Sequence, residues 1–172
     1  MRNFGLQALA VCVLIAGLAY AAEPADEAIL REARDRAEIE ALMWRYVRAL
    51  DSGDADAYAA AFTPDGQFSS SNGNTTSGRE ALRKMISDSR SSRVEREANG
   101  EPPRPQMYHM TTDSYIEFLS EDRALHHSYY FGAVVAGEDS PARIAGPGIA
   151  VDELVRVDGQ WLIKSRTVGL QD

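Results

Sequence analysis

Cysteine is almost absent. The single one, Cys12, lies inside an apolar N-terminal run from Ala8 to Ala22. Arg2 stands before that run, and Ala19-Tyr20-Ala21 supplies the small residues that precede a signal-peptide cleavage site. The expectation is a signal peptide over 1–21 and a periplasmic or secreted protein. Cleavage there removes Arg2 and Cys12, takes the net charge from −8 to −9, and leaves no thiol for a disulfide. The run is short of the roughly 20 residues of a membrane span. An uncleaved anchor is the alternative reading, and membrane contact is expected only in that case.

Histidine is scarce too, with only His109, His126 and His127 in the chain. No H-x-H or H-E-x-x-H spacing occurs, so no metal site is expected. A P-loop, a dinucleotide fingerprint and G-x-S-x-G are all missing, and no cofactor is expected. No run of Lys or Arg follows an aromatic stripe, which argues against nucleic acid as a partner. The 44% hydrophobic content is that of one globular domain with a proper core.

What is present is organised around Arg36 to Phe68. Ile39, Leu42, Met43, Tyr46, Val47 and Leu50 follow the spacing of one helical face. Asp51 comes next, where that face would call for another apolar residue. It either ends the helix and caps the next one, or it serves chemistry with a partner elsewhere. Before this helix, residues 22–35 read as a linker at Pro24-Ala25 and a charged helical extension from about Asp26. Asp51-Ser-Gly-Asp54 is a turn, and Asp54 can cap a short helix from Ala55 to Phe62.

Thr63-Pro-Asp-Gly66 reads as a second turn, then Gln67 to Ser71 as a short strand. Ser71 to Gly78 is a polar loop in which Thr76 or Ser77 would cap a third helix, about Arg79 to Asp88. Ser89 to Gln106 reads as a long exposed loop. Strands are expected at about 107–118, 123–137, 149–157 and 160–170, with Asp158-Gly159 a hairpin turn. The fold class is α+β: a strongly bent antiparallel sheet wrapped on three N-terminal helices.

Parity decides the candidate site. In a regular strand His109 would share a face with Glu117, while Ile116 and Phe118 took the core. His109 turns inward only if a bulge near Thr112 to Ser114 flips the alternation. Arg166 meets the same problem, since Trp161 and Ile163 stand on the opposite parity. The adjacent His126 and His127 point to opposite faces and are assigned no role. A carboxylate and an imidazole together suggest general acid–base chemistry, with Asp51 fixing the tautomer of His109. Arg166 could stabilise developing negative charge, and the Tyr46 hydroxyl could donate a hydrogen bond.

The segments EIEALMWRYVRALDSGDADAYAAAFTPDGQF, Ser77-Gly-Arg79, YHMTTDSYIEF and DELVRVDGQWLIKSRTV resemble the SnoaL-like domains of the nuclear transport factor 2-like superfamily. Within it the resemblance is to the branch of scytalone dehydratase and hexachlorocyclohexane dehydrochlorinase. It covers about Ala37 to Val168 and sets the domain at 36–172. The resemblance implies a cone-shaped barrel with a pocket between sheet and helices. It also implies an aspartate–histidine pair at Asp51 and His109, and an arginine at Arg166. The dehydrochlorinase lysine falls at Tyr46, and the second histidine of the dehydratase falls near Val134, so neither named reaction carries over. The expected activity is a cofactor-independent lyase or isomerase acting on a small, partly apolar ring compound. Asp51, His109 and Arg166 are its catalytic candidates, with Tyr46, Tyr58, Phe62 and Tyr130 as binding residues. The alternative is a non-catalytic small-molecule-binding or dimerisation module. A homodimer through the sheet is what the family suggests.

Overall fold

The computed structural model describes residues 24–135 and 141–169. The expected signal peptide, with Cys12 and the cleavage motif, lies outside the described residues. Among these residues no helix is long and apolar enough to cross a membrane.

Helix α1 runs unbroken from Pro24 to Ser52. The expected linker at Pro24-Ala25 is instead the start of this helix, and the extension joins the organising helix as expected, because Asp26 and Glu27 suit a first turn and the residues after them are good helix formers. One face of α1 is buried through Asp35, Ile39, Leu42, Met43, Tyr46 and Ala49. Gly53, at φ +68°, then ends the helix in the left-handed conformation that glycine adopts without strain. Helix α2 spans Ala55–Ala60 and is capped by Asp54, whose carboxylate accepts from the Ala57 N–H at 3.0 Å. The cap therefore belongs to Asp54, and Asp51 is free of that duty.

Strand β1 covers Phe62–Ser69 and absorbs the expected Thr63–Gly66 turn as an irregularity within the strand. Strand β2 (Thr75–Ser77) occupies part of the expected polar loop. Helix α3 spans Arg79–Ala98, ten residues beyond its expected end at Asp88. The extra turns are solvated and hold few apolar residues, but their Arg and Glu are good helix formers. Its N-cap is Gly78, without a side-chain cap, instead of Thr76 or Ser77. Strands β3 (Met107–Ser120), β4 (Arg123–Val134), β5 (Arg143–Val157) and β6 (Gln160–Gly169) complete the chain.

The six strands lie in the order β2-β1-β6-β5-β4-β3. Every pairing is antiparallel except β1 on β6, which is parallel. The expected α+β architecture is present, but β2 and β3 stand at opposite edges and the sheet is open, not a closed barrel. Ile39, Leu42 and Tyr46 of α1 meet Ile116, Leu154 and Ile163 of the sheet in one core, with Leu82 and Ile86 closing it from α3. Each such side chain contributes about 1.5–3 kcal/mol on burial.

The ladder is interrupted on several strands. One extra residue enters β3 between Thr112 and Tyr115, one enters β5 opposite Tyr130–Gly132, and one enters β6 beside Glu153–Leu154. Each bulge bends its strand and reverses the alternation beyond it. On β3 the inward residues are Met107, His109 and Thr111 before the bulge, and Ile116 and Phe118 after it. Asp113 takes φ +50°, a left-handed conformation that aspartate tolerates better than most residues. On β6 the extra residue is Lys164, so Trp161 and Ile163 face inward before it and Arg166 after it. The two parity conflicts in the sequence are both resolved by an inserted residue.

Candidate active site

Asp51 closes the last turn of α1, and His109 stands on the inner side of β3. The carboxylate Oδ1 accepts two hydrogen bonds from the same residue, from the His109 backbone N–H at 3.0 Å and from Nδ1 at 2.7 Å. The Asp51 side chain is 5% exposed and that of His109 30% exposed. With Nδ1–H donating to a carboxylate, the neutral ring presents Nε2 as a lone pair. That is the arrangement in which a histidine accepts a proton from a substrate while the acid holds its tautomer. The backbone bond fixes the carboxylate to the strand as well as to the ring.

Deeper inside lies a polar cluster of which the sequence pattern points only to Tyr46 and Arg166. Arg166 is 4% exposed, and its Nη1 donates to both oxygens of Asp152 at 2.7 Å. The Asp152 Oδ2 also accepts from Nδ1 of His126 at 2.8 Å. His126 and Asp152 are both buried, so His126 faces the interior beside Arg166. His127 turns outward, as neighbouring residues on a strand must. The Tyr46 ring packs against the Arg166 guanidinium at 4.7 Å, a cation–π contact.

Burial works to lower the Arg166 pKa, but the charge and hydrogen bonds of Asp152, joined by Tyr46 and Tyr58, together outweigh it and hold the cation above its ordinary range. Burial raises the Tyr46 hydroxyl against the pull of Arg166. Burial raises Tyr58 as well, and Tyr46 adds to the effect. Both phenols are therefore neutral donors at any ordinary pH.

The four expected binding residues divide. Tyr58 and Phe62 are fully enclosed, with ring centroids 5.3 Å apart and planes tilted by 45°, and belong to the core with Tyr46. Tyr130 is half-buried, with its hydroxyl over Gly148, where an added Cβ would meet it at 2.8 Å. Val134 is buried on the inner face of β4 and carries no chemistry. Among the described residues no group of three His, Cys, Asp or Glu side chains is arranged to hold a metal ion. A cleft of about 830 Å³ runs past Arg45, Arg48, Ala57 and Gln160 on the flank of α1. Neither that cleft nor the smaller ones beside Phe118 and beside Arg90 is lined by Asp51, His109 or Arg166.

One signal for the missed cluster was in the sequence. Ala150, Asp152 and Leu154 alternate on β5, so a carboxylate sits between apolar residues of one face. The other face, Ile149, Val151 and Val155, is more apolar still and reads as the core by that measure. The buried side therefore cannot be chosen from hydrophobicity alone.

A SnoaL-like domain model matches residues 31–167. No curated protein matches the chain. Among solved structures, the D26N form of Rv3472 from Mycobacterium tuberculosis, a protein of unknown function, is 28% identical with a TM-score of 0.67. That match covers 86% of this chain and 76% of the other. A Novosphingobium aromaticivorans protein provisionally named scytalone dehydratase is 26% identical with a TM-score of 0.63, over 81% and 86% of the two chains. A Catenulispora acidiphila protein solved in complex with S-DNPA is 28% identical with a TM-score of 0.61, over 80% and 93%.

Proposed function

We propose, for a chain that belongs to the SnoaL-like domain family, an exported, cofactor-independent lyase or isomerase that works by proton transfer on a small, partly apolar ring compound. The reading is carried by one observation, the 2.7 Å bond from His109 Nδ1 to a buried Asp51 carboxylate. His109 Nε2 removes a proton from a ring carbon next to a carbonyl. The C–H electron pair becomes part of a C=C bond. In an isomerisation the charge moves to the carbonyl oxygen and the proton returns to another carbon. In a dehydration the β-oxygen departs, taking the proton from the imidazolium and leaving as water. Such a base contributes about 10²–10⁴ in rate. Arg166 and Tyr46 are proposed as the groups that meet negative charge. A neighbour of the same fold solved with a small molecule supports a ligand site in this family.

Proton exchange tests the chemistry without a known substrate. The protein is incubated with 2-tetralone, an enolisable ring ketone, in heavy water, and deuterium uptake is followed by NMR. Wild type should exceed His109→Ala and Asp51→Asn by about 10²-fold or more. Equal rates in the three proteins would sink the base assignment. Export is tested by the mass of the mature N-terminus, which should begin after Ala21.

A second reading is favoured by a separate observation. Tyr108, Met110, Tyr115, Tyr129 and Ile144 are all exposed, and all lie on the outer face of the sheet. Exposed apolar surface on this scale marks an interaction site. Under this reading the domain pairs with a second copy and holds a ligand without turning it over. Sedimentation velocity should give a dimer that Tyr129→Lys dissociates, and a monomeric wild type would remove the reading.

A further inference from the structure

The cleft of about 830 Å³ on the flank of α1 takes no part in the proposed proton transfer. It runs beside α1 from Glu38 to Ser52, about 21 Å of helix. Buried Leu42, Ala49, Ala61 and Trp161 form its floor, and Ala57 and Ala60 of α2 stand on its far side. The alanines give it depth, since a longer side chain at any of them would fill it. Its volume falls within the usual range of ligand sites, about 300–1,000 Å³. Both tryptophans of the chain line it. Trp161 is enclosed beneath Arg156 and Phe118, but Trp44 is 67% exposed and stands outside the core.

Charge decides what the cleft suits. Arg45 and Arg48 line it three residues apart, neighbours on one helical face. Among the described residues no carboxylate pairs with either, whereas Arg31 and Arg36 on the same helix hold Glu121 and Glu32. The two carboxylates that share the cleft are engaged already. Glu38 lies 3.6 Å from Arg156, and Asp54 caps α2 through the Ala57 N–H. The cleft therefore offers two adjacent guanidinia without an acid of their own, over an apolar floor. We propose that it binds an organic carboxylate with an apolar body, of the size of a medium-chain fatty acid. The guanidinia donate to the carboxylate in the fork geometry that suits it, and the apolar body lies on the floor beside Trp44. Neither Asp51 nor His109 lines the cleft, so the inference does not rest on the proposed proton transfer.

Octanoate and octanamide, its neutral counterpart, test the site. Each is titrated into the protein and followed by tryptophan fluorescence, to which only the two cleft tryptophans contribute. Wild type should bind octanoate at least about tenfold more tightly than octanamide. The double variant Arg45→Gln with Arg48→Gln should weaken octanoate about tenfold or more and leave octanamide within about twofold. Ala57→Leu, which fills the cleft with a good helix former, should weaken both probes. Arg45, Arg48 and Ala57 are exposed, so these variants should melt like wild type. Equal affinity for the two probes, or octanoate affinity unchanged in the double arginine variant, overturns the proposal. Octanoate affinity that survives in Ala57→Leu but falls in His109→Ala places the ligand in the interior and overturns it too. Wild type that binds neither probe, and forms a dimer that Trp44→Ala dissociates, overturns it in favour of a second copy of this chain.

Discussion

Replacing Asp152 by Ala strands Arg166 and His126 in the interior without their shared acceptor. Arg166 is 4% exposed, and a guanidinium keeps its proton at any ordinary pH, so the stranded cation does not neutralise itself. Breaking a buried ion pair from one side costs about 3–5 kcal/mol. For a domain of this size each kcal/mol moves the melting temperature by about 2–4 °C, so the variant should melt roughly 6–20 °C lower. The companion is Asp152→Leu with Arg166→Met, which removes both charges together. It leaves only the His126 Nδ1–H unpaired, a loss of about 1–3 kcal/mol. Urea unfolding followed by far-UV circular dichroism and by the fluorescence of buried Trp161 measures all of these. The paired substitution should cost several kcal/mol less than the sum of its singles. Additivity within about 0.5 kcal/mol would refute the account, since it would mean that the two charges are not held against each other in a dry interior.

Stability should also fall in alkali. Burial raises the hydroxyls of Tyr46 and Tyr58 above 10.0. Above pH ~10 the unfolded chain has lost protons that the folded chain retains, so stability present below that pH declines as pH rises. The slope approaches about 1.4 kcal/mol per pH unit for each phenol, and Tyr58→Phe should flatten it in equilibrium unfolding between pH 9 and 11. Deleting Asp113 removes the extra residue of β3 and restores strict alternation. Either His109 and Thr111 or Ile116 and Phe118 must then leave the interior, at a cost of at least about 2 kcal/mol, read by chemical denaturation. An unchanged midpoint, with the His109–Asp51 bond still visible as a downfield imidazole proton by NMR, would refute the parity argument. Gly148→Ala should destabilise by about 1–3 kcal/mol, because the new Cβ meets the Gly169 backbone oxygen at 2.9 Å as well as the Tyr130 hydroxyl at 2.8 Å. Tyr130→Phe in that background should recover only part of the loss.

Much of the fold is legible residue by residue. The face from Ile39 to Leu50 reads as a helix because helical periodicity is local. Asp158-Gly159 reads as a hairpin turn for the same reason, and Asp158 does take φ +50°. The second half of α3 reads as loop from sequence because its Arg, Ser and Glu carry no apolar stripe. Such a helix rests on intrinsic propensity and solvation, which leave a weak trace in the pattern. The Thr63–Gly66 segment reads as a turn from sequence because Pro and Gly are strong turn signals. The parallel pairing of β1 with β6 draws it into the sheet, and no local rule reports that partner.

The amino-acid order by itself determined the helical face that ends at Asp51, the number and rough place of the long strands, and the rarity of imidazole that made His109 worth following. Those properties depend on neighbours three or four residues apart, or two apart in a strand. Which face of each strand is buried was decided only in the folded sheet. The outer faces of β4 and β5 are at least as apolar as the inner ones, so transfer energy does not choose between them. The inserted residues at Asp113 and Lys164 choose instead, by turning His109 and Arg166 inward without expelling Ile116 or Ile163. Assembly of Arg166, Asp152 and His126 needs three strands in one register, a relation between distant segments that exists only once the chain has folded.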